Sequence, residues 1–194
     1  EDRCADIYRK AMSMRAFGKY LRAIGQNAYI LPEKYVTAKQ DFSPYIFSDE
    51  ELSRLFSSID RIKASKSEPF MDELAPVLYR LIYTCGLRPR EGRELKTENI
   101  NLKTGEILIV QTKRKKDRLV VMSNDMRKLA SSYNEKRKIF GKSNEYFFPS
   151  WNGGALASRR IDYYLKNAWK AANPDCEKVP NVRTYILRHR FASA

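Results

Sequence analysis

The stretch from position 72 to 86, DELAPVLYRLIYTCG, constrains the fold more than any other part of the sequence. The spacing of its apolar residues predicts a helix that is apolar on most sides, so that little of the helix surface is suited to contact with water. Such a helix has to be surrounded by other elements, and Gly86 is the residue type that commonly ends a helix. We therefore predict a core built around this helix.

The elements around this helix are predicted to be mainly helical. The expected helices cover 7–24, 49–59 behind a Ser48–Glu51 capping box, 89–96, 125–140, 157–172, and the chain from Thr184 onward. The segments EILIVQT and RLVVMS predict two strands joined by the basic turn KRKKD, and the aromatic run YFF at 146–148 predicts a further buried strand. The predicted fold class is therefore α+β, mainly helical with one small antiparallel sheet.

A stretch without periodicity divides the chain. Residues 1–30 contain one basic helix whose apolar stripe needs a partner, and we interpret it as the remnant of an upstream helical domain. Residues 31–43, which include Pro32 and are followed by Pro44, form a predicted linker. The main domain is expected at 44–194.

The charge of the chain predicts a polyanionic partner. It contains 37 Lys and Arg residues against 23 Asp and Glu residues, a formal net charge of +14. Nucleic acid is the first expectation and an anionic membrane surface the second, with a merely solubilising or ribosomal-type basic surface as the alternative. Three scattered cysteines and one histidine predict no metal site and a reducing compartment. No apolar run approaches the roughly 18 residues of a membrane-spanning helix, and the start EDRCADIYRK does not resemble a signal peptide. We therefore expect a soluble intracellular protein.

Arg88 is the first candidate for anion binding. It precedes Pro89, which suits the first position of a helix, so Arg88 is expected in the capping turn rather than in the helix. There its guanidinium and the free amide groups of the helix start could face one anion, with Glu91 holding the guanidinium. The alternative is an ordinary Arg–Glu surface pair.

Two further basic segments are candidates for phosphate contact. The hairpin turn carries Lys113, Arg114, Lys115, Lys116 and Arg118 around the single acid Asp117, and a solvated turn is the alternative. In the last helix, Leu187 and Phe191 are expected to face the core, which leaves Arg188 partly exposed beside them. A half-buried arginine needs an anion, either a bound phosphate or an internal carboxylate. His189 is more often a structural hydrogen-bonding residue than a catalyst.

Three segments together resemble the catalytic domain of the tyrosine recombinases, the family of phage integrases and their Xer-type relatives. They are YTCGLRPREGRELKTENINLKTGEILIVQTKRKKDRLVVM, EYFFPSWNGGALA and YILRHRFASA, in the family's order. GLRxxE and LRH are short motifs, and the lysine hairpin between them makes the set specific. The resemblance runs from about Pro44 to the last residue, and it implies the fold of the DNA breaking-rejoining enzymes. It also implies that residues 1–30 end with the last helix of a SAM-like core-binding domain.

The resemblance implies site-specific DNA recombination or integration through a 3′-phosphotyrosine intermediate, without metal or cofactor. Arg88 and Arg188 would bind the non-bridging oxygens of the scissile phosphate, and Lys113 would protonate the departing 5′ oxygen. Contacts with DNA are expected from Arg114, Lys115, Lys116, Arg118, Arg159, Arg160, His189 and Arg190. The implied partners are a double-stranded attachment site and, for the full-length protein, three further copies in a synaptic tetramer. The implied location is the nucleoid in the cytoplasm, without a membrane partner.

The sequence departs from the family at three points. Tyr185 stands where histidine is usual, and a tyrosine carries protons poorly at neutral pH. Arg190 stands where threonine is usual. The nucleophilic tyrosine of the family follows the LRH motif, whereas no tyrosine follows Tyr185 here. We therefore expect these 194 residues to bind DNA without cleaving it. The alternatives are a non-catalytic DNA-binding protein of the same fold, or an RNA-binding helical module.

Alanine substitution tests the role of the basic turn. If Lys115 and Lys116 contact phosphates, Lys115→Ala or Lys116→Ala should each reduce the slope of log affinity against log salt by up to about one. Binding of a duplex measured at several salt concentrations checks this. An unchanged slope in both variants would mean that the turn is solvated and does not contact phosphates.

Overall fold

The computed structural model describes residues 2–35, 45–110, 117–139, 145–174 and 181–193, with the side chains of residues 2–5 left out. Contacts within the chain divide it into two units, Glu1–Ser43 and Pro44–Ala194. No helix among the described residues is both long and apolar enough to cross a membrane.

The first unit is one helix with a returning segment. The helix α1 spans Asp2–Ala23, in agreement with the predicted helix, and a short 3-10 turn follows at Glu33–Tyr35. Arg15 of α1 binds the segment that follows the helix. Its Nε donates to the carbonyl of Leu31 at 2.9 Å, and its Nη2 donates to that of Pro32 at 2.8 Å. These bonds satisfy a buried guanidinium with backbone oxygens.

The second unit contains six helices and three short strands among its described residues. The helices are α2 (Asp49–Ile59), α3 (Met71–Thr84), α4 (Pro89–Arg93), α5 (Asn124–Ile139), α6 (Ser158–Ala172) and α7 (Tyr185–Ala192). The strands are β1 (Ile100–Asn101), β2 (Glu106–Ile109) and β3 (Arg118–Val121).

Helix α3 lies at the centre of this unit, as its apolar sequence predicts. It packs against α2, α4, α5 and α7, and most of its side chains are buried. The hydroxyl of the buried Tyr79 donates to the carbonyl of Ile161 in α6 at 2.6 Å, so the polar end of this ring is also satisfied.

Two glycines allow other elements to lie close to α3. Gly86 ends the helix with φ +57°, as predicted, and the ring of Phe191 lies 2.4 Å from the place that a Cβ would take. Gly92 in α4 brings that helix onto α3, because a Cβ there would meet Ile82 at 2.8 Å. The predicted capping box is also confirmed, with Ser48 and Glu51 bonding each other's backbone N–H groups.

The sheet is antiparallel in the order β1-β2-β3. The two predicted strands are confirmed, whereas β1, with only two residues, is too short to show periodicity in the sequence. Ile107 and Ile109 are buried on the inner face, and Leu108 pairs with Leu119 on the exposed face. The basic turn between β2 and β3 lies largely outside the described residues.

Three local predictions are wrong. Helix α4 ends at Arg93 rather than 96, because the chain then turns so that Leu95 is buried and accepts a hydrogen bond from Phe147. The aromatic run at 146–148 forms only an isolated bridge between Tyr146 and Lys96 rather than a strand. Phe191 is 45% exposed, because one face of its ring rests on Gly86 while Ile186 takes a buried position beside Leu187.

Alanine at Gly86 should destabilise the second unit. An L-residue at positive φ costs about 1–2 kcal/mol, and the new Cβ would also displace the ring of Phe191. We expect Gly86→Ala to lower the free energy of unfolding by about 2–3 kcal/mol in denaturant titrations. The matched control is Gly105→Ala, at φ +85° with its nearest neighbour at 3.4 Å, which should show the conformational cost alone. Equal losses in the two variants would mean that α7 does not depend on this close approach.

Candidate active site

Arg88 and Glu91 form the first part of the site. Arg88 has extended backbone angles, φ −66° and ψ 145°, immediately before α4, as a residue preceding proline should. The Glu91 carboxylate accepts from the Arg88 backbone N–H at 2.8 Å and from its Nη1 at 2.7 Å. The prediction that Glu91 holds this guanidinium is therefore confirmed.

Arg118 of β3 reaches the same carboxylate. Its Nη1 donates to Glu91 Oε1 at 2.9 Å and its Nη2 to Oε2 at 2.6 Å, which is the bidentate geometry that strengthens Arg–carboxylate pairs. The sequence predicts Arg118 only as a DNA contact, so its pairing with Glu91 is a feature that the structure adds. The structure places Arg118 opposite the inward-facing Ile109, whereas the alternation of β3 alone does not identify its inner face.

Arg188 of α7 completes the cluster. Its Nη1 donates to the carbonyl of Gly86 and lies 3.9 Å from Glu91 Oε2. The start of α7 is fixed from α6, because Asp162 accepts from the backbone N–H of Thr184 at 2.8 Å and from its hydroxyl at 2.7 Å. Three arginines from three separate elements thus meet at one carboxylate.

The cluster is a positively charged site with its carboxylate at the back. The side chains of Arg88, Arg118 and Arg188 are 36%, 33% and 29% exposed, against 10% for Glu91. Three guanidinium groups face a single carboxylate, so two positive charges remain uncompensated within this cluster. An anion approaching from solvent would meet guanidinium groups before it met Glu91.

The ionisation of Glu91 depends on its partners. Burial opposes the charged carboxylate, but the hydrogen bonds from Arg118 and Arg88 outweigh this effect and lower the pKa of Glu91 from 4.5 to about 2. In return, the pKa of Arg88 is raised, first by its hydrogen bond to Glu91 and then by the charge of that carboxylate. The Arg88–Glu91 pair therefore stays ionised at neutral pH.

Tyr185 lies beside Arg88 at the start of α7. After the larger contributions of Glu91, the nearby Tyr185 also helps to raise the pKa of Arg88. The Tyr185 ring is 43% exposed and lies 5.1 Å from the ring of His189, measured between centroids. Its hydroxyl can therefore donate to an anion that Arg88 binds.

The other predicted residues stand apart from this cluster or outside the described residues. Lys113, Arg114, Lys115 and Lys116 belong to the latter group. Arg160 pairs with Glu68 at 3.0 Å, and Arg190 pairs with Asp49 at the start of α2 and is only 15% exposed. Arg159 is exposed in α6.

No group of three or more His, Cys, Asp or Glu side chains in the described part of the chain is arranged to hold a metal ion. Cys85 is buried next to the site at the end of α3, and burial raises the pKa of its thiol. A buried thiol of raised pKa is a poor nucleophile. The described site presents the guanidinium groups of Arg88, Arg118 and Arg188 and the hydroxyl of Tyr185.

The comparisons with known proteins decide the family. A model of the phage integrase family matches residues 46–194, which is most of the chain. The chain belongs to the phage integrase family. The tyrosine recombinase XerC of Lacticaseibacillus casei is 26% identical over 195 residues, covering 96% of this integrase-family chain and 61% of XerC. The putative integrase/recombinase y4rE of Sinorhizobium fredii is 28% identical over 182 residues, covering 92% of this chain and 57% of y4rE.

Solved structures support the same assignment. XerH site-specific recombinase in a post-cleavage complex with a palindromic difH substrate has a TM-score of 0.68 and 25% identity, covering 87% of this chain and 48% of XerH. A lambda integrase dimer bound to a COC′ core site has a TM-score of 0.69 at 18% identity, covering 100% of this chain and 67% of the lambda integrase chain. At this identity the likeness supports the fold alone. The resemblance to tyrosine recombinases and the α+β fold class are confirmed. This phage integrase chain spans about three fifths of the length of the curated relatives cited above.

The stability of this phage integrase domain should depend on Glu91 in a pH-dependent way. Because the pKa of Glu91 is lower in the folded state, its ionised form stabilises the fold above about pH 4.5, and this contribution disappears as the pH falls toward 2. We expect Glu91→Gln to lose about 2–3 kcal/mol at pH 7, with the difference from wild type shrinking below pH 4.5.

Urea titrations from pH 3 to 7 measure this difference. The control is Glu135→Gln, whose carboxylate pairs with Lys138 at 72% exposure and should contribute well under about 1 kcal/mol. A Glu91 effect that is small and independent of pH would contradict the assigned network.

Proposed function

We propose that this chain is part of a site-specific DNA recombinase that integrates or exchanges DNA through a 3′-phosphotyrosine intermediate. The observation that supports it is the meeting of Arg88 and Arg188, distant in sequence, at one carboxylate that also binds Arg118, which leaves two excess positive charges. A partly exposed pair of arginines held in fixed positions is suited to bind one backbone phosphate.

The proposed chemistry uses these groups in the transition state. A tyrosine hydroxyl loses its proton to solvent and its oxygen attacks the phosphorus atom, the bond from phosphorus to the 5′ oxygen breaks, and Lys113 supplies the proton that the 5′ oxygen takes up. The phosphodiester carries one negative charge, and the pentacoordinate transition state carries about two. Arg88 and Arg188 would therefore bind the transition state more strongly than the ground state, which is the condition for faster chemistry.

The nucleophile of this reaction is proposed to lie outside the 194 residues. The last tyrosine among them, Tyr185, precedes Arg188, whereas the family's nucleophile follows it. We therefore propose that the 194 residues bind double-stranded DNA without cleaving it, aided by a net charge of +14. Relatives described as bound to difH substrate and to a core site favour DNA as the partner. We also propose that full-length copies assemble as a tetramer on DNA at the nucleoid.

A second candidate is a non-catalytic DNA-binding protein with the same fold. Tyr185 favours it, because it replaces the usual histidine beside Arg88 and cannot move protons readily at neutral pH. Both candidates need the arginine cluster to bind a phosphate, and they differ only in whether a covalent bond forms.

A covalent-adduct assay separates the two candidates. A form of the protein that continues past Ala194 to a tyrosine is incubated with a nicked half-site duplex of its attachment sequence. We expect a protein–DNA adduct on denaturing gels, formed at least about 10³-fold more slowly by Arg88→Ala. The matched control is Arg90→Ala, which removes a 79% exposed arginine from the same helix and should have little effect. Good binding without any adduct would instead support the non-catalytic protein.

A further inference from the structure

We propose that Arg118 is a positioning residue of the recombination site. By binding the carboxylate of Glu91, Arg118 keeps that carboxylate in place to bind Arg88 and leaves Arg188 available to the phosphate. This inference rests on the function proposed above. It differs from a direct DNA contact, since Arg118 would act through Glu91 rather than on the nucleic acid.

The hydrogen bonds of Glu91 are the first support. Oε1 accepts from Nη1 of Arg88 and Nη1 of Arg118, while Oε2 accepts from the Arg88 backbone N–H and Nη2 of Arg118. A carboxylate has about four acceptor positions, and here all four are in use. Arg188 remains at 3.9 Å from Oε2, beyond hydrogen-bond distance, and donates to the Gly86 carbonyl instead.

Removing Arg118 would free two of these four acceptor positions. The nearest cation in the cluster is Arg188, whose Nη1 already lies 3.9 Å from Oε2 and needs to move by only about 1 Å to form a charged hydrogen bond. That movement would turn one of the two phosphate-binding guanidiniums toward Glu91. Arg118 thus prevents the site's own carboxylate from competing with the phosphate.

The position of Arg118 in the sheet is the second support. It pairs with Ile109 at the last rung of the β2–β3 ladder, and Lys113 lies in sequence between these two residues. The side chain of Arg118 lies on the inner face of the sheet, because Leu119 and Val121 occupy the exposed face. The bond to Glu91 therefore ties the beginning of β3 to Arg88.

Cleavage and binding, measured separately, test this role. In the tyrosine-containing form, Arg118→Met should slow single-turnover adduct formation at saturating DNA by at least about 10-fold, while the DNA dissociation constant changes by less than about threefold. Arg118→Lys keeps the charge but loses the bidentate fork, so it should keep wild-type DNA affinity and salt slope without recovering the rate. Arg90→Lys, made in an exposed Arg–Glu pair, is the matched control and should leave the rate unchanged.

A second measurement uses the 194-residue chain without DNA. NMR of the arginine side chains should show no hydrogen bond from Arg188 to Glu91 in wild type and a new one in Arg118→Met, because Arg188 moves onto the freed acceptor positions. An Arg188 guanidinium that stays apart from Glu91 in both proteins would overturn the inference, because Arg118 would not be the group that keeps the two apart.

The outcomes distinguish this inference from the function on which it rests. Full recovery of the rate by Arg118→Lys, or a rate unaffected by Arg118→Met, would make Arg118 a DNA contact or a structural ion pair. Absence of any adduct in wild type would overturn the proposed function and the catalytic half of this inference. The NMR result would then still decide whether Arg118 keeps Arg188 away from Glu91.

Discussion

The carboxylate of Glu91 is the interaction on which the rest of the site depends. Arg88 precedes α4, Arg118 lies in β3 and Arg188 in α7, and their like charges would repel one another without a central anion. Burial opposes the ionised carboxylate, and the hydrogen bonds of Arg118 and Arg88 outweigh this effect. Each side of this arrangement therefore requires the other, and the fold has to bring both together.

Close packing around α3 makes this meeting possible. Gly92 lets α4 lie directly against Ile82, and Gly86 lets Phe191 of α7 lie against the turn that leads to Arg88. These contacts set the distances between elements, while hydrogen bonds such as those of Asp162 to Thr184 set the position of α7 along its axis. Small residues and satisfied polar groups therefore bring the elements together, and the charges of the site then hold the side chains in place.

The sequence predicts most of the local features of the site, whereas the contact of Arg118 with a distant residue is not among its predictions. The helix α3, the capping box of α2 and the Arg88–Glu91 pair all depend on residues within one or two turns, and they are found as predicted. The pairing of Arg118 with Glu91 joins residues 27 positions apart. In the sequence, Arg118 stood beside a run of lysines and was grouped with them. The short strand β3 has aliphatic residues on both faces, so alternation alone did not reveal which face was inner.

A carboxylate inside an anion-binding site is unfavourable unless its charge is already engaged. Glu91 meets this condition, because its four acceptor positions are all taken up by Arg88 and Arg118. Arg88 uses only one guanidinium nitrogen for Glu91, and Arg188 uses none within hydrogen-bond distance of it. Glu91 can therefore fix the guanidinium groups in place without cancelling them. The two excess positive charges that remain match the charge that a phosphoryl-transfer transition state develops, rather than the single charge of the phosphodiester.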